Sequence, residues 1–292
     1  MITLPDHLEG FEQDLSNRVL DEIDPAVDNN VTIEYTVDDI IRSVYPDLNM
    51  HFNFKFKEWL LDQFKNYNIH PDIKYKNFIC SFNGSNHVGR QLLASALNKF
   101  GYFGRDYCSK NFNHNGNEIH GHIANYVENV DFYNKFFDCT DEFNQQIYSF
   151  GHYRFDHANN IHVLETQLTQ SFLHIVSETK ATSYYPFVTE KFLYSIVTRG
   201  LFLSYAQPSW HAHIEKYYGF KLYTKLFDYR FDLIQNPVER LVELMTMVGK
   251  FSKLTPFEWH DLVLIEQDSI EFNYDHYFSQ DYLKILNKYS DV

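Results

Sequence analysis

The sequence predicts an α/β fold built on parallel strands, and two stretches carry that prediction. In residues 76–103 (KNFICSFNGSNHVGRQLLASALNKFGYF) a short apolar run leads through an Asn-Gly turn into an amphipathic helix. In residues 171–232 a longer apolar run closes on a carboxylate, Glu178. A polar loop follows, and then a helix that opens at Thr189-Glu190-Lys191. A second apolar run, 201–206, comes directly after that helix. Strand, loop, helix, strand is the unit from which parallel sheets are assembled. Each stretch opens its own α/β half, so a boundary is expected near residue 160, with domains 1–160 and 161–292.

The composition supports a folded chain. With 292 residues and 18% aromatics it has ample material for a core. No apolar run approaches the ~18 residues of a membrane span, and the first residues, MITLPDHLEGFEQD, lack the basic and apolar regions of a signal peptide. Cys80, Cys108 and Cys139 are widely spaced with no Cys-x-x-Cys, which fits a reduced, cytoplasmic protein. The net charge of −14 disfavours strong nonspecific binding to nucleic acid.

In chain order, residues 1–30 read as an acidic, weakly periodic lead-in, 31–36 as a strand and 37–41 as the start of a helix. Residues 54–67 carry Phe56, Trp59, Leu60 and Phe64 at helical spacing and stop before Asn68 and a turn containing Pro71. Residues 78–82 form a buried-strand pattern, followed by the turn Asn83-Gly84-Ser85-Asn86. A helix over 87–100 buries Leu92, Leu93, Ala96 and Leu97 and ends at Gly101, placed as a C-cap. Arg90 sits in that helix's first turn, where a cation opposes the dipole; it either faces a bound anion or is exposed or paired.

Residues 111–122 are rich in Asn, Gly and His and predict a loop, facing substrate or solvent. His114, His120 and His122 with Glu118 match no zinc spacing, so no metal is expected. Residues 148–163, with Arg154, Asp156 and His157, give a weak signal for a position near the cleft. Residues 237–250 form a helix with Pro237 at its start, a stripe of Val238, Leu241, Val242, Leu244, Met245 and Val248, and Gly249 near its end. The tail over 256–289 leans helical, with Trp259, Leu262, Ile265, Tyr282, Ile285 and Leu286 able to pack.

The chemistry of the second stretch suits a nucleotide sugar. A buried carboxylate at a strand end, Glu178, accepts hydrogen bonds from ribose or sugar hydroxyls. A helix N-terminus with a lysine in its first turn, Lys191, favours a diphosphate without a metal. The same residues also fit an ordinary helix start, with Thr189 as N-cap and Glu190 in the first turn.

Residues 177–192 resemble the donor-binding motif of the family 10, fucosyltransferase-like glycosyltransferases. There a strand ending in Glu-Asn precedes Tyr-[Val/Ile]-Thr-Glu-Lys at a helix start. This chain has Glu178 and then Tyr185-Pro186-Phe187-Val188-Thr189-Glu190-Lys191. It looks still more like glycosyltransferase-like proteins of phages and marine bacteria. Their helix, strand, helix, Gly-Phe, Asp-rich turn and helix correspond to 189–198, 201–206, 208–218, Gly219-Phe220, 227–232 and 237–250. Residues 83–93 are similar to their N-terminal stretch. The resemblance covers about a third of the chain, residues 76–103 and 171–250, and departs at Thr179 and at Ser85-Asn86-His87.

That resemblance implies a GT-B-like fold, two Rossmann-type domains facing a central cleft, with the acceptor on the N-terminal half. It implies a donor site of Glu178, Tyr185, Thr189, Glu190 and Lys191, and a phosphate or acceptor side of Asn83, Gly84, His87 and Arg90. An inverting reaction needs a base, for which Glu118 and Asp106 are candidates by location only. The co-substrate would be a GDP- or UDP-linked sugar, with no other cofactor. The acceptor would be a glycan, lipid or protein hydroxyl, or a hydroxylated base of phage DNA flipped into the cleft. A basic surface formed by Lys55, Lys57, Lys65, Lys74, Lys76, Arg90, Lys99 and Arg105 would favour DNA. A degenerate, non-catalytic nucleotide- or glycan-binding protein is the alternative.

Overall fold

A computed structural model of the chain describes residues 75–151, 157–178 and 189–279. Four strands form one sheet: β1 (Asn77–Asn83), β2 (Tyr107–Lys110), β3 (Ser171–Ser177) and β4 (Leu201–Tyr205), in the order β2-β1-β3-β4. All three pairings are parallel, with Cys80 opposite Tyr107, Ile79 opposite Leu173, and Ile175 opposite Leu203. The four strands are buried along almost their whole length, as expected of a parallel sheet covered on both faces.

The helices supply that cover. α1 (Val88–Lys99) links β1 to β2. α2 (Gly116–Tyr126), α3 (Val130–Phe137), α4 (Asp141–Gln145) and α5 (His157–Thr169) lie between β2 and β3, and α6 (Glu190–Val197) links β3 to β4. Beyond β4 come α7 (Trp210–His213), which runs into a π-helical turn over Ile214–Tyr218, and a 3-10 turn over Tyr229–Leu233. α8 (Pro237–Gly249), α9 (Pro256–Ile265) and α10 (Gln267–Ser279) complete the described chain.

Side-chain contacts assign the layers. His174 reaches Ser195 of α6 and the Leu168 carbonyl of α5, and Phe172 on the same face stacks on Trp259 of α9. Tyr205 points to the opposite face, where its hydroxyl donates to the Pro237 carbonyl at the head of α8. α1 packs against α8 and α2 on that second side. The result is a three-layer α/β/α arrangement.

Local chemistry explains the helix starts. Asn236 caps α8 by accepting from the Val238 and Glu239 amides, with Pro237 at the first position. Thr255 and Glu258 form a reciprocal capping box on α9. Gly101 ends α1 at φ 74°, the left-handed position its sequence suggested.

Several expectations change. The Asn-, Gly- and His-rich 111–122 segment is not all loop: Asn115 caps α2, and Ile119 and Ile123 bury one side of it. After α6 it is Arg199, at φ 53°, and not Gly200 that takes the left-handed conformation, which the sequence did not indicate. Gly200 is required for space, since a Cβ there would lie 2.3 Å from Cε1 of His174. Strands from both sides of residue 160 belong to one sheet, with β1 directly beside β3. Two separate sheets, one to each half, are not what the described residues form. The readings for 1–67, Tyr185, Arg154, Asp156, Tyr282, Ile285 and Leu286 fall outside the described residues.

Candidate functional site

The strand order locates the site. From β1 the chain moves outward to β2, then crosses back over β1 to β3 and on to β4. The direction of winding therefore reverses between β1 and β3. In doubly wound sheets the loops leaving the carboxyl ends of such a pair diverge to opposite faces and open a crevice that holds ligands. Here the two ends are marked by the Asn83-to-His87 turn into α1, and by Glu178 at the end of β3 with Thr189 at the start of α6. Two sequence stretches some ninety residues apart are thus brought to one place.

On the β3 side, Glu178 is 1% exposed. Its Oε1 accepts from the Thr189 amide at 3.3 Å, and its Oε2 is buried with no hydrogen-bond partner. Burial lifts its carboxyl to a pKa of about 7, against the opposing pull of the Lys191 ammonium and of hydrogen bonding to Thr189. Thr189 caps α6, its hydroxyl accepting from the Lys191 amide. Lys191 Nζ meets Glu190 Oε1 at 2.6 Å, both side chains mostly withdrawn from solvent. One stretch of chain therefore gathers a protonatable carboxyl, an ion pair and a helix N-terminus.

On the β1 side, Asn83 is fully buried. Its amide donates to the Ser109 carbonyl and to Ser81, while its Oδ1 is buried without a partner. His87 is the N-cap residue of α1 without a side-chain cap bond, and no acidic residue lies in that helix's first turn. Arg90, also in the first turn, is buried. Gly84 stands in the turn between β1 and α1.

Of the two carboxylates expected as a base, the structure separates one from the crevice. Asp106 precedes β2 at the amino end of the sheet. Its carboxylate accepts from the Phe78 and Ile79 amides at 2.6 and 3.3 Å and pairs with Arg105 at 2.7 Å. It anchors the start of β1 and faces away from the crevice. Glu118 lies on α2, at the carboxyl side, and its Oε2 accepts from Gln91 in the first turn of α1 at 2.9 Å. Gln91 Oε1 in turn accepts from the Asn115 amide. Gln91 is not singled out by the sequence, because its burial and its contacts with Glu118 and Asn115 are tertiary facts.

The histidines do not gather. Nδ1 of His114 lies 3.1 Å from the Ser95 hydroxyl, and burial drives its pKa down to about 3. His120 pairs with Asn134 at the surface, and His122 packs on Tyr126. Among the described residues no cluster of three or more His, Cys, Asp or Glu side chains is placed to hold a metal. The described cations of the 76–105 stretch also disperse. Lys76, Lys99 and Arg105 flank the amino ends of β1 and β2, opposite the crevice, while Arg90 is buried in the first turn of α1.

A second buried polar pair lies after β4. His211 Nε2 accepts from the Ser204 amide at 3.0 Å, which leaves its Nδ1–H to donate to Asp232 at 2.8 Å. Asp232 also accepts from the His211 amide. Both imidazole nitrogens are used in tying the 3-10 turn to β4, so this pair is structural.

The fold is a parallel α/β arrangement whose winding reverses between β1 and β3. No family model, curated protein or solved structure matches the chain. No helix among the described residues is long and apolar enough to cross a membrane.

Proposed function

We propose that the crevice between β1 and β3 binds a nucleotide sugar, and that the protein transfers its sugar to an acceptor hydroxyl. The observation that carries this is Glu178: a buried carboxyl with one free oxygen, held against the N-terminus of α6 beside Lys191. A hydroxyl of ribose or sugar satisfies Oε2, and the α6 amides with Lys191 favour the diphosphate. For the phosphate to engage Lys191, its ammonium must exchange Glu190 for the ligand. Asn83 and the start of α1 form the opposite wall, and Glu118, held by Gln91, is the candidate base for the acceptor hydroxyl. The two-domain GT-B arrangement is the finer form of this proposal.

Of the described cations expected to form a basic surface, Lys76, Lys99 and Arg105 lie at the far end of the sheet and Arg90 is buried, which favours a glycan or similar hydroxyl over a flipped DNA base as acceptor. The second reading, a binding protein without transferase activity, keeps the same ligand site.

The test is a thermal-shift series with nucleoside diphosphates and their sugars, with Lys191→Ala beside the wild type. A ligand of the folded state raises Tm by linkage, and at about 100 times Kd the gain is ~2.7 kcal/mol. Stabilisation by guanine or uracil diphosphates that Lys191→Ala weakens about tenfold or more supports the reading. No shift at millimolar nucleotide removes it. Release of free nucleoside diphosphate on adding acceptor separates transferase from binding protein.

A further inference from the structure

Glu178 does not carry the last unsatisfied group at the end of β3. Ser177, the residue before it, is fully buried, and its hydroxyl has no hydrogen-bond partner. Nor has Asn83 Oδ1, at the end of β1. The orientation of that amide is fixed. Its Nδ2 faces the Ser109 carbonyl at 3.1 Å, and a carbonyl can only accept, so the oxygen is the free end. Buried polar atoms in folded proteins are nearly always paired, and unpaired ones gathered at a crevice point to a ligand.

Strand register brings these two groups together. β1 and β3 have seven residues each and run parallel from Asn77 beside Ser171, with Ile79 opposite Leu173. Asn83 and Ser177, four residues further along, end their strands level with each other. Alternation puts both on the side of the sheet away from His174. Tyr205, the neighbour of Ser177 in β4, points the same way, toward α8. Glu178 turns to the other side, where it accepts from the Thr189 amide at the head of α6. Lys191 and the α6 amides lie there too, so the diphosphate and the hydroxyl on Glu178 belong to the α6 side. The Ser177–Asn83 pair matches an alcohol, which donates to Asn83 Oδ1 and accepts from the Ser177 hydroxyl. A phosphate has no proton for the amide oxygen at neutral pH.

We propose that Ser177 and Asn83 bind a hydroxyl of the transferred sugar. The ligand then crosses the end of β3, with its nucleotide on the α6 side and its sugar on the α1 side. This rests on the reading of the crevice as a nucleotide-sugar site. It sets the sugar toward the first turn of α1, whose Gln91 holds Glu118.

Titration calorimetry tests it, comparing UDP and GDP with UDP-glucose, UDP-galactose and GDP-mannose on the wild type, Ser177→Ala and Glu178→Gln. Ser177→Ala should bind the sugar-bearing ligand about tenfold or more weakly, yet hold the bare diphosphate as the wild type does. Glu178→Gln should weaken both alike. Without ligand, Ser177→Ala should melt at the same temperature or higher, because it removes an unpaired buried hydroxyl. A marked fall would make Ser177 structural and overturn the proposal. Asn83→Ala should show the same selective loss at a lower melting temperature, since it also gives up its bond to Ser109. Equal losses for diphosphate and sugar place Ser177 at the nucleotide, and no loss for either leaves it to a buried water; each overturns the proposal. So does a wild type that binds a diphosphate but none of the three sugars. A wild type that binds neither removes the nucleotide-sugar reading, and this one with it.

Discussion

Glu178 illustrates how position rewrites the behaviour of a single residue. An exposed glutamate would titrate near its ordinary 4.5, whereas burial at the end of β3 raises this one to about 7. A folded-state pKa above the unfolded one means that the native protein holds the proton more tightly. Its penalty is therefore absent below pH 4.5, grows between 4.5 and 7, and is complete above 7. The difference corresponds to about 3 kcal/mol of stability withheld at alkaline pH. Glu178→Gln should flatten the pH dependence of Tm between pH 5 and 8 and raise Tm at pH 8, while weakening nucleotide binding. Thermal melts across that range check both; a variant less stable than wild type at pH 8 contradicts the burial argument. The sequence revealed Glu178 because a carboxylate ending the mostly apolar run 172–177 is conspicuous. It did not reveal that Asp106 faces the other way, since the two β1 amides that Asp106 accepts from lie nearly thirty residues upstream.

At the scale of elements, backbone support and close packing decide which substitutions matter. Asp106→Ala should leave two β1 amides short of an acceptor and destabilise the protein by roughly 1–3 kcal/mol. The nucleotide response should persist, because the residue anchors the sheet's amino end; urea unfolding alongside thermal shift separates the two effects. Gly200→Ala places a methyl group inside the His174 ring, whose Nε2–H is fixed on the Leu168 carbonyl at 2.8 Å. A loss of about 1–3 kcal/mol or more follows from such overpacking, and His174→Ala in the same chain should recover part of it. These details also show where elements were legible. α6 and α8 stood out because cap, apolar stripe and terminator agree. α2 was hidden by Gly116, Gly121, His120 and His122, poor helix formers that outweighed the signal of Asn115, Ile119 and Ile123. β2 was hidden by brevity: Tyr107–Lys110 gains its strand character from lying beside β1, which no local window contains.

For the molecule as a whole, both motif-bearing units were readable and their relation was not. Each strand–loop–helix unit follows from local periodicity, but sheet order is a tertiary fact, and β1 beside β3 joins what the sequence divided. The expected boundary at residue 160 would cut between partners in the centre of the sheet. Fragments 1–160 and 161–292, produced separately, should each fail to give a cooperative melt and should regain one when mixed. Circular dichroism and gel filtration of the fragments, alone and together, measure this. Two independently folded fragments would return the molecule to a two-domain description.

The β2-β1-β3-β4 order also sets a timetable for synthesis. β1 can meet β2 once some thirty residues have followed it, but its other neighbour begins at Ser171, 94 positions after Asn77. Throughout that interval a nascent chain carries Phe78, Ile79 and Phe82 on a strand with one bare edge, a template for pairing with another chain. Long-range parallel pairing is slow as well. The ligand crevice, defined by that same late pair, is therefore among the last features to come into being, and the folding yield should be most sensitive to conditions before Ser177 has left the ribosome.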